Sequence, residues 1–412
     1  MSFDQILPDR QLKELQKSVL DFMHTQGYTE SALVFARESG NEGFVLDPND
    51  RHHNLLAKKW TSVIRLQKKI MELESKLSKQ QQPDEPRRTT APSAEWLPRP
   101  PARTKLTQHR QPITRVRFHP QYTLLATASE DTTVKLWDAE SGDFERSVKG
   151  HTKAVQDVAF DAKGAVMVTC SADLTLRVWD VTADYKCVRT LHGHDHCVSA
   201  VCFLAADRLA SASRDRTVKI WDLTTGYCVK TLTGHAEWVR SVDATPDARL
   251  LCTASNDQSV RLWDPSSGEC KADMRGHSNV VETAKFAPPN AHACLRRLAG
   301  LPPTTEPSPG LFVISASRDK TLCLWDTTTA QLLHTFIGHD DWVRDFVFHP
   351  SGKTIISVSD DKTMRVWDLA TGRCSKTIDA SQHFTTCIDF SSVSPLVATG
   401  SVDTEVSLWA CR

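Results

Sequence analysis

Between about Thr104 and Arg412 the chain alternates apolar and polar side chains with a period of two, in short runs such as AVMVTCSAD, LTLRVWD and TVKIWD. Runs rich in Val, Ile, Leu and Thr and bounded by turn residues predict short, half-buried strands. The N-terminal segment has a different period. From Pro8 to Gly27, Leu12, Leu15, Val19 and Phe22 fall at i, i+3, i+7 and i+10, which puts one apolar stripe on a helix that Gly27 ends. A second short helix, Glu30 to Glu38, presents Ala32 and Phe35. Within 52–80, Val63, Leu66, Ile70, Leu73 and Leu77 stand at alternating a and d positions with charges between them, the pattern of a parallel coiled coil of about three heptads. Residues 81–103 shift to Gln, Pro, Arg and Thr, the composition of a flexible tether.

The strand region repeats. Tryptophans stand at 137, 179, 221, 263, 325, 367 and 409, spaced by 42 residues except for one interval of 62, which carries an insertion at 287–310. Six residues before each lies an aspartate (Asp131, Asp173, Asp215, Asp257, Asp319, Asp361, Asp403), and two before that a serine (Ser129, Ser171, Ser213, Ser255, Ser317, Ser359, Ser401). Upstream stand His109, His151, His194, His235, His277 and His339, five of them preceded by glycine; the seventh repeat has Ser381 there. Four short strands fit in each period. A period of about 40–45 residues with Gly-His and Trp-Asp marks is the blade signature of WD-repeat propellers, and residues 104–412 resemble that family. The expected fold is an all-β, seven-bladed WD-repeat propeller, with Thr104 to Leu106 completing the last blade and closing the ring.

A buried indole N–H needs an acceptor. The second-strand serine can supply one and can itself donate to the imidazole, whose other nitrogen meets the turn aspartate. His151, Ser171, Asp173 and Trp179 are the expected structural tetrad of blade two, with equivalents in the other blades. One unpaired member would cost about 1–3 kcal/mol, so the four satisfy one another inside an apolar blade. Nucleophiles are not repeated at structural spacing, which argues against reading these sets as catalytic triads. Ser381 is expected to shorten the network of blade seven.

Two short helices cannot bury their stripes in a closed core, and self-association is the natural cover. Leu12, Leu15, Val19, Gly27, Tyr28, Ala32, Phe35 and Glu38 resemble a LisH motif, a homodimerisation module, over residues 1–40. A helical hairpin packed on its own propeller is the alternative. The expected dimerisation residues are Leu12, Leu15, Val19, Phe22, Tyr28 and Phe35, with Val63, Leu66, Ile70, Leu73 and Leu77 of the coil. The order of LisH motif, coil, linker and seven WD repeats resembles the lissencephaly/nuclear-distribution protein family, as do the stretches KKWTSVIRLQKKIMELESKL, EWLPRPP, SGDFERSVKGHT and TGYCVKTLTGHAEWVR. The resemblance covers nearly the whole chain. It implies a non-catalytic dimeric scaffold that binds and regulates the cytoplasmic dynein heavy-chain motor domain, with Nde-type coiled-coil proteins as partners. It also implies a cytoplasmic location at microtubule plus ends and at centrosomes or spindle poles. In animals the family also binds catalytic subunits of a platelet-activating-factor acetylhydrolase. A regulatory subunit of that hydrolase and a substrate receptor of another assembly are the alternative functions.

Composition narrows the partners. Fifty Lys+Arg balance fifty Asp+Glu, so no global field draws the chain to nucleic acid or anionic lipid. No run approaches the about 18–20 apolar residues that span a bilayer, and MSFDQILPDR lacks a secretory signal's basic start and apolar run. The expectation is a cytosolic chain with reduced thiols. Among the twelve cysteines, Cys187, Cys228, Cys270 and Cys374 recur once per repeat instead of clustering. His192, His194, His196 and Cys197 imitate a metal site, but His194 already fills the Gly-His position. With no G-x-S-x-G elbow or phosphate loop, no enzyme, cofactor or metal is expected.

Consecutive strands are antiparallel, so the loop entering a blade's first strand and the turn between its second and third lie at the same end. Positions three and five after the repeat histidine, the middle residue of Ser-x-Asp and the residue after the aspartate should gather there. They hold Arg214 and Arg216 in the third repeat, Trp238 and Arg240 in the fourth, Arg318 and Lys320 in the fifth, and Trp342, Arg344 and Lys362 in the sixth. The first two repeats carry Glu130, Thr132, Ala154, Gln156 and Ala172. Arginine and tryptophan anchor interfaces through contact area and directional bonding. Arg214, Arg240, Arg318, Trp342 and Lys362, with Trp238 and Arg344, are therefore the expected dynein-binding residues. The proline-rich insertion 287–310 is expected on the opposite face as an extended, mobile loop.

Overall fold

The computed structural model describes residues 9–26, 28–41, 96–205, 207–302 and 311–411. The coiled-coil positions Val63, Leu66, Ile70, Leu73 and Leu77, the helix-ending Gly27 and the tether before Trp96 lie outside the described residues. The chain divides into two compact units, 1–89 and 90–412.

The described residues of the first unit form a pair of helices, α1 (Asp9–Thr25) and α2 (Thr29–Glu38). Leu20 and Ala32 are fully buried, and Asn41 ties the end of α2 back to Gln16 of α1 at 3.3 Å. The small interface uses up only part of the apolar surface. Leu15, Phe22, Tyr28, Leu33 and Val34 remain exposed, and Val19 and Phe35 are half-buried. The side chain of Leu12 lies outside the described residues.

The second unit is seven four-stranded antiparallel sheets. Blade one runs through Ile113–Phe118, Leu124–Ser129, Thr133–Asp138 and Phe144–Lys149 from the inside outward. Five further blades repeat this order. Blade seven takes three strands from Thr385–Phe390, Leu396–Ser401 and Val406–Ala410, and its fourth from Thr104–Leu106, paired Thr104 to Leu408 and Leu106 to Val406. That strand covers an edge that would otherwise be open and joins the two ends of the ring.

Each repeat tryptophan fills the seam between its own blade and the one before. Trp179 packs with Ala126, Leu136 and Val148 of blade one, and Trp221 with Val168, Leu176 and Leu191 of blade two. On the axis, Arg115 lies between Asp157 (2.9 Å) and Asp345 (2.8 Å), and Lys285 meets Asp345 at 2.7 Å, so buried ion pairs join blades one, two, five and six. Burial works against the charge on Arg115, but the two carboxylates outweigh it and push its pKa up.

Two sequence expectations change here. The tether does not run free to Thr104. Trp96 and Leu97 pack beside Phe390 and Trp409, Pro98 bridges to Cys411, and Lys376 Nζ donates to the Pro98 carbonyl at 2.8 Å. A half-buried indole packed on the last blade outweighs the polar composition around it. The insertion, expected as a mobile loop, instead forms a 3-10 turn, Pro289–Ala291, and a helix α3, His292–Leu298. Ala291 and Leu295 are fully buried against Phe312, Phe336 and Trp367, and Asn290 Nδ2 donates to the Pro350 carbonyl at 2.7 Å. Pro289 sits in the first turn, where its missing N–H is not needed. Residues 303–310 lie outside the described residues.

Candidate functional site

All seven indoles find a hydroxyl, but not that of the Ser-x-Asp serine. Trp179 Nε1 donates to Thr169 Oγ1 at 2.9 Å, and the hydroxyl also meets His151 Nε2 at 2.8 Å. His151 Nδ1 in turn faces Asp173 Oδ2 at 2.8 Å. The acceptors in the other blades are Thr127, Ser211, Thr253, Ser315, Ser357 and Thr399. The tetrad is therefore His151, Thr169, Asp173 and Trp179, and the placement of Ser171 and its equivalents in it is corrected. Strand register gives the reason. Met167 lies opposite Trp179 and Thr169 opposite Arg177, so the indole reaches one same-face step towards the turn and stops at Thr169. Ser171, a further step on, serves the turn itself: it accepts Asp173 N–H at 3.1 Å and donates to the Ala154 carbonyl at 2.9 Å.

A neutral imidazole protonated at Nδ1 satisfies every member of this chain, and burial pushes the pKa of His151 down, which keeps it neutral. Burial also opposes ionisation of Asp173, but hydrogen bonds from Thr175 and His151 outweigh it and hold the carboxyl at about 2. In blade seven the network is shorter: Thr399 accepts Trp409 at 2.9 Å, while Ser381 Oγ meets Ser401 Oγ at 2.9 Å. These networks are structural and enclosed. Among the described residues no cluster of His, Cys, Asp or Glu is placed to hold a metal ion. In the His192–Cys197 run, His194 is tied to Asp215 and Ser211, and His196 stacks on Trp238.

The arginines gather at the end of the ring where the Ser-x-Asp turns lie. A funnel of about 330 Å³ opens there, lined by Arg214, Arg240, Glu282, Arg344, Gln156 and Ser199 among others. Within each of three blades the fifth position after the histidine bonds the middle residue of Ser-x-Asp. Arg240 Nε donates to Asn256 Oδ1 at 2.7 Å in blade four, and Arg344 is held by both oxygens of Asp360 at 2.8 and 2.7 Å in blade six. Blade five reverses the polarity: Glu282 is on the inner strand and Arg318 in the turn after the second, with Nε of Arg318 on Oε1 of Glu282. The reversal links neighbours, because Arg344 Nη1 also reaches Glu282 Oε1 (3.3 Å) and Arg240 Nη1 faces Oε2 (3.6 Å).

Two tryptophans back this cluster. Arg214 lies over Trp238 at 4.7 Å, and Arg318 and Arg344 lie over Trp342 at 4.3 and 5.1 Å. The side chains of Arg240, Arg318 and Arg344 are only 21, 19 and 24% exposed, so their guanidiniums are held edges instead of waving surface charges. Lys362 is exposed at the rim with φ 69°, and Lys320 Nζ donates to the Asp340 carbonyl at 2.8 Å. The structure brings Arg240, Arg318, Arg344 and Trp342 into one network, sets Arg214 and Trp238 beside it as a stacked pair, and leaves Lys362 outside. Sequence reasoning missed Glu282, Asn256 and Asp360. Each stands in a position already singled out in other repeats, and filling those positions for every repeat would have found them.

Comparison with known proteins agrees with this architecture. The WD domain, G-beta repeat pattern matches residues 101–138, 142–180, 185–222, 226–264, 268–326, 330–368 and 372–410. A PAC1 LisH domain pattern matches residues 9–44. A nuclear distribution protein PAC1 of Coprinopsis cinerea is 55% identical over 351 residues, covering 84% of this chain and 81% of its own length. One from Coccidioides posadasii is 46% identical over 405 residues, covering 93% and 86%. With a LisH pair of helices, a ring of seven WD blades and relatives this similar along most of its length, the chain belongs to the PAC1 family of nuclear distribution proteins.

Proposed function

We propose that the chain serves nuclear distribution as a non-catalytic, dimeric scaffold whose arginine-lined face binds the motor domain of cytoplasmic dynein. The names of its relatives support the nuclear-distribution role. The observation that carries the binding face is the set of guanidiniums already fixed by Glu282, Asp360 and Asn256 and backed by two indoles. Side chains held in place before contact lose less conformational freedom when a partner arrives, so their bonds add more to affinity. Among the described residues, Arg214 has only the Trp238 face as its side-chain partner, which leaves its donors for an acidic group on the motor. The test is binding of purified motor domain to the full chain carrying Arg240→Ala, Arg318→Ala and Trp342→Ala together. Affinity should fall severalfold with the thermal midpoint kept; normal folding with unchanged binding would refute the assignment of the face.

The exposed Leu15, Phe22, Tyr28, Leu33 and Val34 of the first unit support the dimer, as an apolar surface for a second copy to cover. Two linked propellers then raise avidity for paired motor domains without new contacts. Solution mass should fall from two chains to one when residues 1–80 are deleted, and a full-length chain that is already monomeric overturns this part of the proposal.

A further inference from the structure

Among the described residues, Glu282 is the one carboxylate shared by arginines of three successive blades, and only 10% of its side chain is exposed. Each neighbour has its own reason to need it. Arg318 has it as its ion-pair partner, Arg344 adds it to Asp360, and Arg240 has otherwise only the neutral Asn256. Three guanidiniums crowded round one carboxylate repel one another, and burial disfavours the charged form of Arg240. A shared anion offsets that repulsion and fixes three planar donors in one arrangement.

We infer that Glu282 is a positioning residue that makes this face selective for a partner's carboxylate over a diffuse polyanion. The inference rests on the functional reading above and names what sets its specificity. With Glu282 present, the mouth carries less net charge, so a flexible polyanion gains little there. A carboxylate at the right spacing gains directed bonds from donors that no longer have to be ordered. Without the charge of Glu282 the mouth is more positive but its arginines lose their common anchor.

The two ligand types therefore respond in opposite directions. The full chain is compared with Glu282→Gln, which keeps shape and removes charge, and with Glu282→Asp, which keeps charge. Each is tested for affinity to purified dynein motor domain, for the salt concentration at which it elutes from heparin, and for thermal midpoint. Glu282→Gln should lose motor affinity threefold or more while eluting from heparin at higher salt, and Glu282→Asp should recover part of the motor affinity. If Glu282 only dilutes the charge, Glu282→Gln binds both more tightly, and that result overturns the inference. Wild-type chain that shows no affinity for the motor overturns the functional reading itself, and this inference with it.

Discussion

Apart from the ion pairs on the axis, two polar networks set the inside of a blade against the mouth of the ring, and they differ in what joins their members. The tetrad of His151, Thr169, Asp173 and Trp179 lies within one blade and recurs in six of the seven, with its groups satisfying one another out of solvent. The network round Glu282 uses the same repeated positions but occurs once, crosses three blades and keeps its edge in water. An interaction repeated in blade after blade serves the blade. One that breaks the repeat at a position the fold leaves free answers to something outside the fold, and here the break is a reversal of charge in blade five.

The sharpest way to break this contrast is to remove the same residue type from each network. Trp221→Ala empties a fully buried seam between blades two and three and should cost about 3–5 kcal/mol of stability. Trp342→Ala, on the half-exposed face, should change stability by about 0.5 kcal/mol. Denaturant unfolding measures both; similar losses would mean that the mouth supports the fold after all. A smaller effect sharpens the tetrad itself. Thr169→Val strands an indole N–H and an imidazole nitrogen, whereas Thr399→Val strands only the indole of Trp409, since blade seven lacks the histidine. The first should exceed the second by about 1–3 kcal/mol. Equal losses would show that the histidine contributes nothing to the chain of bonds.

Much of this was legible from residue order. Seven indoles at a 42-residue period gave seven blades, the closing strand at Thr104–Leu106 followed from the edge it covers, and Ser381 marked the blade with the shorter network. Positions counted from the repeat histidine and from the Ser-x-Asp frame brought Arg240, Arg318 and Arg344 to one end. The indole's acceptor was misread because the serine's regular spacing drew attention, although Thr169 and its equivalents stand at an equally regular ten residues from the tryptophan. Regular spacing reveals that a residue belongs to the repeat, not which bond it makes; register and side-chain reach decide that. The helical part of the insertion was hidden in another way, by flanking prolines that read as loop while Ala291 and Leu295 supplied a buried side.

The order of amino acids by itself determined the number of blades, their strand pattern and the face on which basic residues collect, because contacts within a blade fall at fixed, short separations that repeat along the chain. Only the closed ring decided that Glu282 is shared. Its arginines come from positions 42 residues before it and 62 after it, and nothing local in the sequence distinguishes an arginine facing water from one held by the next blade's carboxylate.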